Sequence, residues 1–193
     1  MKENTPNRRE FIKAGSTAAV AASAISFPTV SFGKPDSRKL KIGFIGCGGR
    51  GTGAANQALT ADSNVELWAM GEVSEARLNG SLANISKRKP ALVNVDKKRQ
   101  FIGLDAYEKV LDSGVDLVIL TTPPGFRPLH FKAAVEAGKH IFLEKPMATD
   151  APGLRSVMES YKLAEKKKSQ KSVLNASFVD DGLQNPISML FKP

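Results

Sequence analysis

Three short stretches hold residues whose types and spacing suit chemistry. In Gly46-Cys47-Gly48-Gly49-Arg50-Gly51, the glycines at 46, 48 and 51 stand in a G-x-G-x-x-G spacing. Between a strand and a helix, Gly46 permits a tight turn, Gly48 leaves room for a pyrophosphate against the backbone, and Gly51 lets helix and strand approach closely. Gly49 adds no side chain at the helix start, whose amides and positive dipole end face the phosphates. Arg50 is either their neighbour or a solvated cation. Cys47, at the same helix start, stands where a thiol can be acidified, although the position mainly needs a small residue. Glu72 follows about 20 residues later, the distance at which a carboxylate can bond the adenosine ribose hydroxyls. Its charge would repel a 2′-phosphate, which favours NAD over NADP, while the nearby Arg77 could accommodate one. The last stretches are Thr121-Thr122-Pro123-Pro124-Gly125-Phe126-Arg127-Pro128-Leu129-His130 and Glu144-Lys145-Pro146. In an alcohol oxidation, hydride leaves carbon while a base takes the hydroxyl proton. Lys145 could shuttle that proton if burial and neighbours lower its pKa. Taken alone, Lys145 reads more readily as a solvated lysine, and His130 as a residue that caps or packs a helix.

Elements able to position these residues alternate along the chain. Apolar runs at 40–45, 65–70, 115–120 and 140–143 read as buried strands. The glycine segment opens a helix to about Leu59, and a polar helix over 74–88 ends at Pro90. Residues 91–100, basic and poorly patterned, read as a surface insertion. Asp105 and Glu108 have capping-box spacing before a helix that places Tyr107, Val110 and Leu111 on one face and ends at Gly114. Pro128 opens the next helix, which presents Phe131, Ala134 and Val135 before Gly138. Thr149 or Asp150 caps a last helix whose Leu154, Val157, Met158 and Tyr161 recur at helical spacing. Alternation with near-continuous apolar strands predicts a doubly wound, mostly parallel α/β sheet covered on both faces. Ligands in such sheets bind beyond the carboxyl ends of the strands, where all the stretches above fall.

Composition narrows the chemistry further. The 193 residues are 41% hydrophobic and 24% charged, as in folded soluble domains rather than disordered chains. One cysteine excludes an intrachain disulfide framework and Cys-cluster zinc, and two histidines leave little for a metal centre, so no metal is expected. The net charge of +9 is concentrated at 87–89, 97–99 and 166–168. No aromatics interleave there to stack bases. The clusters read as solvated helix ends and loops, and no nucleic-acid partner is expected.

The N-terminus has a different character. Arg8-Arg9-Glu10-Phe11-Ile12-Lys13 precedes an Ala/Ser-rich apolar run, with Ala22-Ser23-Ala24 as a cleavage-like site. This pattern resembles a twin-arginine export signal. The run is too short and too small-residue-rich for a stable membrane anchor. The expected organisation is a signal over 1–24, a linker over 25–38, a nucleotide-binding domain over 39–171, and an atypical tail over 172–193. Val173–Val179 could supply a last strand. The expected location is periplasmic or exported.

Together these motifs resemble the Gfo/Idh/MocA family of oxidoreductases, relatives of glucose–fructose oxidoreductase and inositol dehydrogenase. The resemblance rests on the glycine loop, Glu72, the segment 122–130, and above all Ala137-Gly-Lys-His-Ile-Phe-Leu-Glu-Lys-Pro146, and it covers residues 40–168. It implies an N-terminal Rossmann domain for NAD, with NADP as the alternative, and a sugar or polyol-like substrate. By the same resemblance, Lys145 lies close to substrate and nicotinamide as the catalytic residue. Thr122, Pro123, Arg127, His130 and Glu144 join the glycine loop and Glu72 around the cofactor, and the Lys145–Pro146 peptide is cis. Some relatives use transient oxidation to cleave glycosides.

Two departures stand out. Glu72 occupies a position where the family usually has Asp. The family's C-terminal α+β substrate domain has no counterpart before Pro193, which reads as a truncated product and raises the alternative of a cofactor-binding remnant without turnover. The missing domain is expected to leave the outer sheet edge and one face uncovered, which favours poor solubility or dimerisation into a homo-oligomer.

Overall fold

The computed structural model describes residues 38–166 and 173–175. The expected signal, most of the linker and the tail beyond Asn175 lie outside them. Strand β1 spans Leu40–Ile45, β2 Val65–Glu72, β3 Gln100–Ile102, β4 Leu117–Leu120, β5 His140–Leu143 and β6 Val173–Asn175. Helices α1 (Gly49–Ala61), α2 (Glu75–Arg88), α3 (Ala106–Asp112), α4 (Arg127–Glu136) and α5 (Ala151–Lys166) alternate with them. The strands form one sheet in the order β3-β2-β1-β4-β5-β6, and every pair is parallel. The order reverses at β1 and β4. The carboxyl ends of these two strands are therefore a topological switch point, where open α/β sheets bind ligands.

Strand pleating divides the apolar side chains between two cores. On one face Ile42, Phe44, Leu67, Ile119 and Phe142 pack against Ala54, Ala58, Leu78 and Ile85 of α1 and α2. On the other, Ile45, Val118, Leu120, Ile141 and Leu143 meet Val110, Phe131, Ala134 and Val157 of α3, α4 and α5. Phe44, Phe131 and Phe142 are fully buried, and truncating any of them to alanine would cost about 3–5 kcal/mol.

Local signals explain several boundaries. Ser74 caps α2 by accepting from the Arg77 amide. The choice between Thr149 and Asp150 resolves to Asp150, whose Oδ1 accepts from the Gly153 amide at 2.7 Å. Gly114 and Gly138 follow their helices with φ of +85° and +62°, a conformation that favours glycine.

The structure corrects four expectations. Residues 91–100 are not a mere insertion. Val93 bridges Leu67, Lys97–Arg99 forms a 3-10 turn capped by Asp96, and Gln100 begins the edge strand β3 beside Met70. Asp105 caps nothing with its side chain. Its φ of −87° and ψ of 0° are not the extended backbone of a capping residue, and its carboxylate pairs with Lys109 at 2.7 Å. Glu108 accepts instead from the Tyr107 hydroxyl. On α5 only Val157 of the four spaced apolar residues is buried, while Leu154, Met158 and Tyr161 are about half exposed. Finally, β2 runs on to Glu72, which pairs with Ile102 of β3, and β4 begins at Leu117, opposite Ile42 of β1.

Candidate functional site: a cleft at the switch point

A cleft of about 740 Å³ opens at the carboxyl ends of the strands. Gly46, Gly48, Gly49, Arg50, Glu72, Thr122, Pro123, Arg127, His130, Glu144 and Lys145 all line it. Four crossover units thus converge on one space. Gly51 alone of the predicted set is behind the wall. A Cβ there would sit 2.0 Å from the Gly46 carbonyl oxygen, so this glycine is required for the approach of α1 to β1.

The floor is the β1–α1 turn. Gly46 has φ +93°, and a Cβ would meet the Thr122 amide nitrogen at 2.7 Å. Thr121 Oγ1 lies 2.9 Å from both the Ile45 and Gly46 carbonyl oxygens, tying this turn to the end of β4. Gly48 and Gly49 face open space, with nothing within 4 Å of a hypothetical Cβ. No side chain caps α1, and its first turn contains no acid. Its unpaired amides therefore present a cradle for an anion.

Glu72 closes one side and is buried. One carboxylate oxygen accepts from the Cys47 amide at 2.6 Å, the other from the Val73 and Ser74 amides at 2.8 and 3.3 Å. The extra methylene relative to aspartate is used to reach back to the glycine turn, so Glu72 fixes that turn's shape as well as bordering the cleft. Arg77 lines both this cleft and a groove of about 980 Å³ between α1 and α2. Cys47 is not acidified. Burial, with the Glu72 charge adding to it, pushes its thiol well up, and Sγ lies 3.6 Å from the Gly71 carbonyl.

The far wall comes from the loops after β4 and β5. Arg127 is buried, and its guanidinium donates to the carbonyls of Thr122 and Pro146. It therefore joins the two loops, although the resemblance placed it among the cofactor contacts. Burial lowers its pKa, and the Glu144 charge opposes that shift. His130 Nδ1 lies 3.1 Å from Thr122 Oγ1, and its ring stacks on Tyr107 at 4.4 Å. Burial pulls its pKa down to about 4, so it is neutral near pH 7. Glu144 pairs across the cleft with Arg50 at 2.6 Å. Lys145 is exposed at the rim, so the burial invoked for its proton chemistry is not supplied by the described residues. The peptide after it is cis.

Sequence reasoning gave no role to Thr121 or Phe126 within their stretch and missed Tyr107, Val73 and Leu104; all five line the cleft, with Val73, Leu104 and Phe126 as its apolar rim. Exposure of that rim suits a flat ring or sugar face. The signal for Tyr107 was its place on a short helix directly after a glycine turn, read only as packing. Among the described residues no cluster of three or more His, Cys, Asp or Glu could hold a metal, and no helix is long and apolar enough to cross a membrane.

A family model for the oxidoreductase family with an NAD-binding Rossmann fold matches residues 40–175. The chain belongs to the Gfo/Idh/MocA family. This Gfo/Idh/MocA chain carries the family's NAD-binding Rossmann domain. It is 29% identical over 179 residues to a glycosyl hydrolase family 109 protein of Shewanella baltica, covering 83% of this chain and 38% of that protein. It is 30% identical over 162 residues to an alpha-N-acetylgalactosaminidase of Shewanella oneidensis, covering 74% and 34%. Its fold matches that of scyllo-inositol dehydrogenase from Lactobacillus casei with NAD(H) and scyllo-inositol bound, with TM-score 0.57 and 23% identity over 75% of this chain and 38% of that one. The Gfo/Idh/MocA domain thus spans little more than a third of the length of these relatives.

Proposed function

We propose that this chain holds NAD(P) across the switch-point cleft and serves an exported enzyme acting on a sugar or polyol. The carrying observation is that the open cradle at Gly48–Gly49 and the Lys145 ammonium line the same cleft. The first-turn amides of α1 would hold a diphosphate, Glu72 would take the adenosine ribose hydroxyls, and Glu144 and Lys145 would flank the nicotinamide end. The nicotinamide, when bound, supplies reversible hydride transfer. In this reading Lys145 Nζ holds or moves the proton of the substrate hydroxyl, while neutral His130 donates or accepts one hydrogen bond without adding charge. The buried faces of Tyr107 and His130 exclude water from the cleft wall.

A second reading, NAD-dependent glycoside cleavage, draws support from the glycosidase names of the relatives matched over most of the chain. Both readings need the same cradle and the same lysine. Titration with NADH followed by fluorescence tests the cradle: micromolar binding is expected, and its absence for both NADH and NADPH would remove the proposal. Assay of a sugar panel for NAD reduction and for aryl-glycoside release separates the two readings, and Lys145→Ala should abolish either activity. Export is supported by the Arg8-Arg9 pattern and the Ala-rich run after it. Fusing residues 1–38 to a periplasmic reporter tests this, and Arg8→Lys with Arg9→Lys should leave the reporter in the cytoplasm.

A further inference from the structure

Arg50 and Glu144 meet across the cleft proposed above to hold a dinucleotide. Arg50 is the second residue of α1, next to the open cradle of Gly48 and Gly49. Its Nε and Nη2 both donate to one carboxylate oxygen of Glu144, at 2.7 and 2.6 Å. Glu144 follows β5, on the opposite lip, and both residues line the cleft. The pair therefore connects the glycine turn to the Glu144-Lys145-Pro146 loop.

We propose that this ion pair is a latch opened by the cofactor's diphosphate, with Arg50 exchanging the Glu144 carboxylate for phosphate. The inference rests on the dinucleotide reading above. The two partners are unequal in a way that favours exchange. The Arg50 side chain is 50% exposed and Glu144 only 8%, so Arg50 is the member free to swing. A diphosphate carries two negative charges and accepts bidentate hydrogen bonds from a guanidinium better than one carboxylate oxygen does. Glu144 is not left without compensation when Arg50 departs, because the Arg127 guanidinium already feels its charge and Lys145 is its chain neighbour. Arg50 is thus a positioning residue. Glu144, although it lines the cleft, competes with the cofactor for it. Binding then releases the Glu144 carboxylate beside Lys145, which links cofactor loading to the readiness of the proton-handling end.

This assigns an unusual sign to a substitution in a binding cleft. In fluorescence titrations at low salt, Glu144→Gln is expected to tighten NADH binding about three- to tenfold. Arg50→Gln should weaken it, and the double variant should match Arg50→Gln within about twofold. ADP-ribose, measured by calorimetry, should follow the same pattern, because the exchange occurs at the diphosphate. Weaker binding by Glu144→Gln would overturn the latch, as would tightening that survives in the Arg50→Gln background or that occurs with NADH but not with ADP-ribose. Should Glu144→Gln fail to fold by circular dichroism, Glu144→Asp keeps the charge but shortens the reach. It should tighten binding to a smaller degree, and unchanged or weaker binding would overturn the latch equally. A folded wild-type chain that binds neither NADH nor ADP-ribose would remove the dinucleotide reading and the latch with it, an outcome distinct from wild-type binding with the wrong mutant order.

Discussion

At the scale of single residues, two glycines of one motif separate stability from binding. Gly51 has no room for a side chain, with a Cβ 2.0 Å from a carbonyl oxygen, whereas Gly48 faces open space with extended backbone. Gly51→Ala should therefore lower stability by several kcal/mol or prevent folding, a large overpacking penalty. Gly48→Ala should cost no more than about 1 kcal/mol yet abolish NADH binding, because the new methyl group occupies the diphosphate cradle. Thermal melts and fluorescence titrations of the two variants give both readouts. His130 adds a pH dependence. Its pKa falls from an ordinary 6.5 to about 4 in the fold, so the unfolded chain binds the proton more tightly. Stability is then fully present above pH 6.5 and is lost as pH falls toward 4. Between pH 7.5 and 5 this amounts to about 2 kcal/mol, and His130→Gln should remove that part of the slope in denaturant titrations. The glycine roles were legible because steric need writes itself into residue type. The bonding of Glu72 was not, since one added methylene let its carboxylate turn back to three amides that no linear pattern reveals.

At the scale of elements, the edge strand β3 depends on a stack that spacing does not announce. Lys41 Nζ and the Arg99 guanidinium lie 3.7 and 3.5 Å from the centroid of the Trp68 ring, and Arg99 also donates to the Trp68 and Asn94 carbonyls. These contacts pin the 3-10 turn that feeds β3. Arg99→Ala should cost about 1–2 kcal/mol through lost cation–π and hydrogen-bond contacts. Trp68 is the sole tryptophan, so a red shift of its emission reports the loss directly. Long apolar strands and the helices between them could be read from the sequence, because burial on both faces demands unbroken hydrophobic runs. The strand β3 could not. It has three residues, is only half-buried, and follows a lysine-arginine turn whose cations suggest solvent. The capping box at Asp105 failed for a related reason: the pattern was present, but Lys109 one turn away drew the carboxylate outward.

For the whole molecule, the half-exposed Leu154, Met158 and Tyr161 lie along one side of α5. Sequence periodicity marked them as core. Periodicity detects that a helix has an apolar side, not what covers it, and the described residues bury only Val157 from that set. Such an exposed apolar stripe promotes association. Sedimentation should show concentration-dependent self-association at tens of micromolar, and Met158→Glu should shift the protein toward monomer without lowering its melting temperature by more than about 2 °C.

The parallel sheet has two unlike rims. All six strands run the same way, so every group named in the cleft sits at one rim. Among the described residues, the opposite rim carries the entry into β1 at Arg38 and return turns such as those at Asp62–Asn64 and Ser113–Gly114. A fluorophore or surface tether attached at Asn64 would therefore sit a full strand length away from the cradle. The domain could be immobilised through that turn with its entrance still facing solution.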